Sequence, residues 1–172
     1  NSVLYLYNPP DPDDHLPDAP IDSISFQLDG IRNPSIKSAP PYLVAEHMKL
    51  DYGILFFKVR TQSPYMLELE LNKSQGKTMW VEKAKGEFMY WPDFLMQVHS
   101  VELKQENITG LRVKPLDHAA VTSQQYSCLH PIALRQEWMK VELLSDDYRL
   151  LGTAWCKWME NGHLMINYNL LS

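Results

Sequence analysis

Apolar and polar side chains alternate one by one along several short segments of this chain. The clearest examples are residues 24–28 (ISFQL), 66–71 (MLELEL) and 138–143 (WMKVEL). A repeat of two residues places every second side chain on the same side, which is typical of a β-strand with one buried face. No segment shows the three-to-four-residue repeat of a long amphipathic helix. The pattern therefore predicts an all-β fold of short strands.

Turn signals separate these predicted strands, at residues 72–76, 85–86, 145–147 and 161–162. The pair Asn-Gly at residues 161–162 is the strongest of them, because both residue types tolerate the positive φ of a type I′ turn. We expect a β-hairpin around this pair.

The two halves of the chain repeat the same order of segments. Four blocks match: residues 66–71 with 138–143, 77–81 with 152–156, 86–90 with 162–166, and 93–96 with 169–172. The spacing between the copies grows along the chain because a turn is longer in the second half, and loops are where duplicated units usually diverge. Four blocks in one order indicate an internal repeat.

The repeat divides the chain into four parts. They are an N-terminal strand and Pro/Asp-rich loop (1–30), a first unit (31–96), a connector (97–107) and a second unit (108–172). Each unit opens with a strand that ends in proline, at residues 36–41 and 111–115. Strands this short must curl into a small barrel to cover their edges. Units of about 65 residues are near the lower limit for an independent core, so we expect them to pack together.

The N-terminal part combines a strand and a loop. Residues 3–7 (VLYLY) are a short β-type run that could add to the edge of a later sheet. Residues 8–20 contain so many prolines and aspartates that neither a helix nor a central strand can form. The loop aspartates could gather around Ca²⁺, but EF-hand spacing is absent and we expect a solvated acidic loop. These aspartates are Asp11, Asp13, Asp14 and Asp18.

Composition and charge exclude two function classes. The 172 residues are 45% hydrophobic and 22% charged, as in an ordinary globular protein. A formal charge of -5 without a Lys/Arg cluster indicates no nucleic-acid partner. No apolar run approaches the roughly 20 residues that cross a bilayer. No charged segment followed by an apolar one is present, so we expect any export signal to have been removed.

Residues capable of chemistry are scattered. The six histidines show no metal-binding spacing, and nucleophile and phosphate-binding motifs are absent. Cys128 and His130 share one face of a predicted strand, but a cysteine peptidase needs helices that the pattern does not predict. Cys128 and Cys156 are expected to be small hydrophobic residues, although in an exported protein they could pair. The sequence predicts no enzyme, metal or cofactor.

Tryptophan residues are the best candidates for a binding site. Alternation places Trp155 with Lys157 on one face of a strand and Trp158 on the other, and Trp80 occupies the matching position in the first copy. A partly exposed indole beside a charge is a usual anchor for a peptide or glycan. The alternative is that both Trp80 and Trp155 pack between the barrels or under the N-terminal segment.

The longer turn of the second copy extends this candidate site. Residues 144–151 overhang the strand with two tryptophans, so we expect partly exposed aromatic side chains to gather at Trp155, Trp158 and Tyr148. The competing expectation is that Tyr148 folds inward to cover the end of the barrel. The predicted ligand-binding residues are therefore Trp155, Trp158, Tyr148 and Trp80.

Several positions of the second unit resemble the bacterial SH3-like domains of exported envelope proteins. They are the opening strand at residues 111–115 (LRVKP), the Trp-x-x-Val strand at 138–141 and the Gly-x-x-Trp strand at 152–155. The first unit resembles the family less, since Met66 and Lys77 replace the matching Trp and Gly. The resemblance implies two tandem SH3-like barrels in a secreted, periplasmic or surface-exposed protein that binds peptidoglycan or a partner protein.

The sequence thus predicts a non-catalytic binding module of the bacterial cell envelope that recognises peptidoglycan, another glycan or a peptide through an aromatic groove. The alternative is a structural or assembly protein, in which the N-terminal strand and both barrels form one rigid body that docks onto an envelope protein. A hydrolase that uses His130 or the aspartate loop is a third hypothesis.

Overall fold

The structure is a computed structural model that describes residues 2–11, 19–28, 34–107 and 109–170. Within these residues the fold is all-β, as the alternation predicts. One α-helix of five residues, α1 (Trp91–Leu95), and two 3₁₀ turns, Leu50–Tyr52 and Lys83–Lys85, accompany fifteen short strands. None of the helices in these ranges is long and apolar enough to cross a membrane.

The strands fall into two compact units, unit 1 (Asn1–Phe88) and unit 2 (Met89–Ser172). Unit 1 contains β1 (Val3–Leu6), β2 (Asp22–Leu28), β3 (Pro34–Ser38), β4 (His47–Lys49), β5 (Ile54–Phe56), β6 (Lys58–Gln62), β7 (Met66–Asn72) and β8 (Lys77–Glu82). Unit 2 contains β9 (Ser100–Leu103), β10 (Cys128–Arg135), β11 (Trp138–Leu144), β12 (Leu150–Lys157), β13 (Met159–Glu160), β14 (His163–Leu164) and β15 (Ile166–Asn169). This division groups α1 and β9 with unit 2. The finer domain limits drawn from the sequence stay a prediction.

Unit 1 is built from three small antiparallel sheets, ordered β1-β2-β3, β4-β5 and β6-β7-β8. The N-terminal strand connects two of them, because the backbones of Tyr7 and Trp80 exchange hydrogen bonds of 2.8 and 3.1 Å. The run at residues 3–7 therefore adds to a later sheet, as its composition predicts. Leu6 and Ile24 have no exposed surface and pack against the buried leucines of β7.

Unit 2 is built around a five-stranded antiparallel sheet, ordered β12-β11-β10-β9-β15. Met139, Val141 and Leu143 of β11 are buried in its core. Near the two edge strands, the Met165 amide, just before β15, donates a 2.9 Å hydrogen bond to the Trp158 carbonyl, just after β12. In the described part of the chain no sheet closes into a barrel, so the predicted tandem barrels are not confirmed.

Residues 161–162 form the turn of the β13–β14 hairpin, as predicted. The φ angles are 50° for Asn161 and 77° for Gly162, and Glu160 and His163 are paired directly across the turn. Positive φ at two consecutive residues is the requirement that makes Asn-Gly the favoured sequence for this turn.

Two of the four matched blocks, in β7–β8 and β11–β12, correspond to equivalent strands with the same register. The other two do not, because residues 86–90 contain no strand and residues 93–95 lie in α1. Glu68 of β7 lies opposite Trp80 of β8, and Lys140 of β11 lies opposite Trp155 of β12. A slip of one residue would have turned one tryptophan toward the core, so the matching register places both indoles on equivalent faces.

One upstream match between the two copies was wrong. Residues 36–41 and 111–115 both end in proline, but Ile36 pairs with Phe26 in the β1-β2-β3 sheet. In unit 1, Trp80 pairs with Tyr7. In unit 2, the equivalent residue Trp155 pairs with Arg112, so Tyr7 and not the 36–41 segment corresponds to Arg112. A proline after a strand indicates where pairing ends but not which strand is the partner, and prolines follow soon after all three segments.

Candidate functional site

Four side chains of unit 2 form a surface that we call the Trp/Lys face: Trp138, Lys140, Trp155 and Lys157. The cross-strand pairs are Trp138 with Lys157 and Lys140 with Trp155. The two indoles therefore lie on one diagonal and the two lysines on the other. Diagonal neighbours in an antiparallel pair are about 7–8 Å apart, which is within reach of aromatic side chains.

The local sequence determines which side of the sheet these residues occupy. Met139 and Val141 have no exposed surface in the core of unit 2. Because successive side chains of a strand point to opposite faces, Trp138 and Lys140 must lie on the other side. Trp138 is 8% exposed, and Trp155 is half-buried. The predicted separation of Trp155 from the core face of its strand is confirmed.

Arg112 extends the Trp/Lys face beyond Trp155. The backbones of Arg112 and Trp155 exchange two hydrogen bonds of 2.7 Å, so their side chains share one face. One guanidinium nitrogen, Nη1, donates a 2.7 Å hydrogen bond to the Ala119 carbonyl. This bond anchors the loop after Arg112, and the buried Nε atom has no hydrogen-bond partner among the described residues.

The positive charge of Lys157 is balanced by two carboxylates of the protein. Its ammonium lies 2.8 Å from Glu160 Oε1 and 2.9 Å from Asp117 Oδ1, and its side chain is only 10% exposed. The hydrogen bond to Glu160, reinforced by Asp117, raises the pKa of Lys157 above its ordinary value. The ammonium also lies 5.8 Å from the centre of the Trp138 ring, within cation–π range. Lys157 is therefore held in place rather than available to a ligand.

A cavity of about 350 Å³ lies at the Trp138 end of the face. It is lined by Lys114, Pro115, Leu116, Arg135, Gln136 and Trp138. Its volume is at the small end of ligand-binding pockets, which span about 300–1,000 Å³. From the sequence, Trp138 was predicted only to belong to a repeated strand and to a family motif. Its place on the Trp/Lys face could have been predicted, because the alternation in β11 places Trp138 on the same side as Lys140.

Trp158 belongs to the core and not to the exposed surface. It is 4% exposed, and its indole N–H donates a 2.8 Å hydrogen bond to the Gln136 carbonyl. Tyr148 is 59% exposed, and the centre of its ring lies 5.9 Å from that of His99 in an edge-to-face arrangement. It lies in the turn that precedes β12, whereas Trp158 follows the last residue of β12. The structure therefore does not gather Tyr148, Trp155 and Trp158 at one place.

Trp80 lies on the equivalent face of unit 1, where the neighbouring charges have the opposite sign. Glu68 and Glu82 stand at the positions of Lys140 and Lys157, and Met66 replaces Trp138. The Thr78 hydroxyl donates a 2.7 Å hydrogen bond to Glu68, which lowers the pKa of that carboxyl together with a bond from Thr61. At the three positions that match Trp138, Lys140 and Lys157, unit 1 thus has neither a cation nor a second indole.

The remaining candidate chemistry has structural roles. The Nδ1 atom of His130 lies 2.9 Å from the His99 carbonyl and donates to it. Both cysteines are free thiols. Across the described ranges, no group of three or more His, Cys, Asp or Glu side chains could hold a metal ion. Three of the four loop aspartates, Asp13, Asp14 and Asp18, lie outside the described residues.

At pH 8 we expect the native protein to react with thiol reagents at one cysteine only. Burial raises the pKa of the Cys156 thiol to about 12, and the thiolate is the reactive form, so half-buried Cys128 is the accessible thiol. Titration with Ellman's reagent should give one fast equivalent, and the second only after unfolding in urea. The Cys128→Ser variant should give none before unfolding, and two fast equivalents in the native wild-type protein would contradict the assignment.

Comparison of the chain with protein-family models, with curated proteins and with solved structures found no match. The Trp/Lys face and its cavity are therefore the basis for inferring a function.

Proposed function

We propose that the chain is a non-catalytic binding module of the bacterial cell envelope, and that the Trp/Lys face of unit 2 recognises a glycan or a peptide of the cell wall. The observation that carries the proposal is the half-buried indole of Trp155 opposite Lys140, on a face that ends at a cavity of about 350 Å³. The Trp155 indole supplies apolar contact area, and the Lys140 cation supplies orientation.

The arrangement of strands supports two SH3-like units. Each unit contains three consecutive antiparallel strands, β6-β7-β8 in unit 1 and β10-β11-β12 in unit 2. In both, a tryptophan of the third strand lies opposite a charged residue of the second. In unit 2 the edge strands also come together at Trp158 and Met165, which is the approach that a small barrel requires. The location in the envelope is supported by the resemblance of residues 111–115, 138–141 and 152–155 to exported SH3-like domains.

The charges favour unit 2 over unit 1 as the binding unit. In the described part of the chain, Lys140 forms no ion pair, so its charge is available to a ligand. The carboxylates beside Trp80 have partners of their own, since Glu68 accepts from Thr78 and Glu82 accepts a 3.1 Å hydrogen bond from Tyr7. A ligand of unit 1 would have to displace these bonds.

We expect Trp155→Ala to weaken co-sedimentation of the protein with insoluble peptidoglycan by about tenfold or more, the usual cost of removing a tryptophan anchor from an interface. The matched control is Trp80→Ala, which removes the equivalent indole from unit 1 and should leave binding unchanged. A second variant, Lys140→Glu, installs the charge found in unit 1 and should weaken binding without affecting the fold.

The readout is the fraction of protein in the pellet as a function of peptidoglycan concentration, with circular dichroism melting to check that each variant is folded. Equal binding by folded Trp155→Ala and wild-type protein would contradict the proposed face. No binding by the wild-type protein would contradict recognition of peptidoglycan and favour docking onto a protein partner.

A further inference from the structure

The cavity at the Trp138 end of the face combines apolar and cationic side chains in a small volume. Pro115, Leu116 and Trp138 supply the apolar part of its lining, and Lys114 and Arg135 supply two positive charges. No carboxylate belongs to the lining, and Glu137, the next residue of the turn, is exposed. The cavity is therefore suited to a group that carries a negative charge next to an apolar one.

The two cations of the cavity are not neutralised by the protein. Neither Lys114 nor Arg135 forms an ion pair within residues 2–11, 19–28, 34–107 and 109–170. Asp117, the nearest carboxylate along the chain to Lys114, is already bound to Lys157, which it shares with Glu160. An arginine without a carboxylate partner can bind both oxygens of an incoming carboxylate at once.

Both walls of the cavity are held by hydrogen bonds. Gln136 has a φ of 53°, and its carbonyl accepts the hydrogen bond from the Trp158 indole. On the opposite wall, the Leu116 amide donates to the Lys114 carbonyl at 2.8 Å. The loop is closed where the Val113 amide donates a 3.0 Å hydrogen bond to the Ala120 carbonyl. The backbone on both sides of the site is therefore held before a ligand binds, which limits the freedom that is lost on binding.

Two features favour a peptide over a sugar in this cavity. Trp138 is only 8% exposed, so its ring offers little open face for a sugar to stack on. The volume of about 350 Å³ holds a chain end rather than a long segment. A peptide end provides the required chemistry, since its α-carboxylate stands next to the side chain of the last residue.

We propose that this cavity captures the free C-terminal carboxylate of a peptide whose last residue is apolar, with Arg135 and Lys114 binding the carboxylate and Pro115, Leu116 and Trp138 contacting the terminal side chain. The proposal rests on the proposed function of unit 2 and specifies the part of the cell-wall ligand that the unit reads.

The test compares three short peptides in a titration followed by NMR, with the indole N–H of Trp138 as the reporter. They are N-acetyl-Gly-Gly-Val as the free acid, the same peptide as the C-terminal amide, and N-acetyl-Gly-Glu-Gly amide, whose carboxylate is on a side chain. The free acid should bind about tenfold or more tightly than either amide, since one hydrogen bond to a charged group is worth that factor. A neutral disaccharide, N,N′-diacetylchitobiose, tests the sugar alternative.

The matched pair of variants is Arg135→Gln and Arg149→Gln. Arg135 is exposed and its loss should not disturb the fold, so Arg135→Gln should abolish the preference for the free acid. Arg149 lies in the turn before β12 with a side chain that is 81% exposed, and Arg149→Gln should keep the preference. Lys114→Gln should reduce it.

Four outcomes would each overturn the proposal. They are equal binding of the free acid and its amide, equal binding of the free acid and the peptide with a side-chain carboxylate, preferential binding of the disaccharide, and no binding of any probe. If that happens while the protein still co-sediments with peptidoglycan through Trp155, the proposed function stands and only the capture of a chain end is refuted. Loss of co-sedimentation for the wild-type protein refutes the proposed function itself.

Discussion

The Leu6→Ala variant is expected to lower the free energy of unfolding of unit 1 by about 2–5 kcal/mol, the usual cost of deleting a fully buried leucine side chain. Leu6 has no exposed surface and packs with Ile24 of β2 and Leu67 of β7. The substitution therefore opens a cavity where the N-terminal strand meets the sheet that carries Trp80.

Urea unfolding followed by circular dichroism measures this loss, and hydrogen exchange of the unit 1 amides assigns it to the correct unit. The control is Leu28→Ala at the end of β2, where the side chain is 70% exposed and the expected change is within about 0.5 kcal/mol. If Leu6→Ala destabilised the protein no more than Leu28→Ala, the N-terminal strand would not belong to the core of unit 1.

We expect Trp158→Ala to lower the free energy of unfolding of unit 2 by about 3–5 kcal/mol, since it removes a large buried side chain. It also removes the hydrogen bond that the Gln136 carbonyl accepts from the Trp158 indole. Trp158→Phe refills most of the volume but not the hydrogen bond, and should cost about 1–3 kcal/mol. Tyr148→Ala, at a position that is 59% exposed, should change stability little.

The same variants separate a core role from a ligand role for Trp158. The measurement is chemical unfolding alongside co-sedimentation with peptidoglycan. A Trp158→Ala protein that kept full stability but no longer bound peptidoglycan would restore Trp158 as a ligand-binding residue. A Trp158→Phe protein with reduced stability and unchanged binding would agree with the buried position that the structure gives this side chain.

Strands and their faces were predictable because they depend on local geometry. The alternation in residues 155–158 placed Trp155 and Lys157 on one side of the strand and Trp158 on the other, and the structure buries Trp158 in the core. A period of two follows from the pleat of any β-strand, whichever strand becomes its neighbour. For the same local reason, the Asn-Gly pair at residues 161–162 was sufficient to predict the hairpin turn.

Pairing between distant segments was less predictable. The proline-terminated runs at residues 36–41 and 111–115 look alike, yet the partner of Trp80 is Tyr7. The longer turn before β12 suggested that Tyr148 approaches the tryptophans, but the turn lies at the opposite end of that strand from Trp158. Both errors arose because loop and turn sequences limit where a strand ends without specifying what lies beside it.

The sequence by itself determined the all-β class, the matched register of the β7–β8 and β11–β12 pairs and the side of the sheet on which Trp155 lies. Only the tertiary structure decided that Asp117 and Glu160 neutralise Lys157, while Lys114 and Arg135 converge on a cavity beside Trp138. These groups come from segments far apart in the chain. Hydrophobic periodicity specifies the direction of each side chain, whereas the contacts between distant segments depend on how strands and loops pack together.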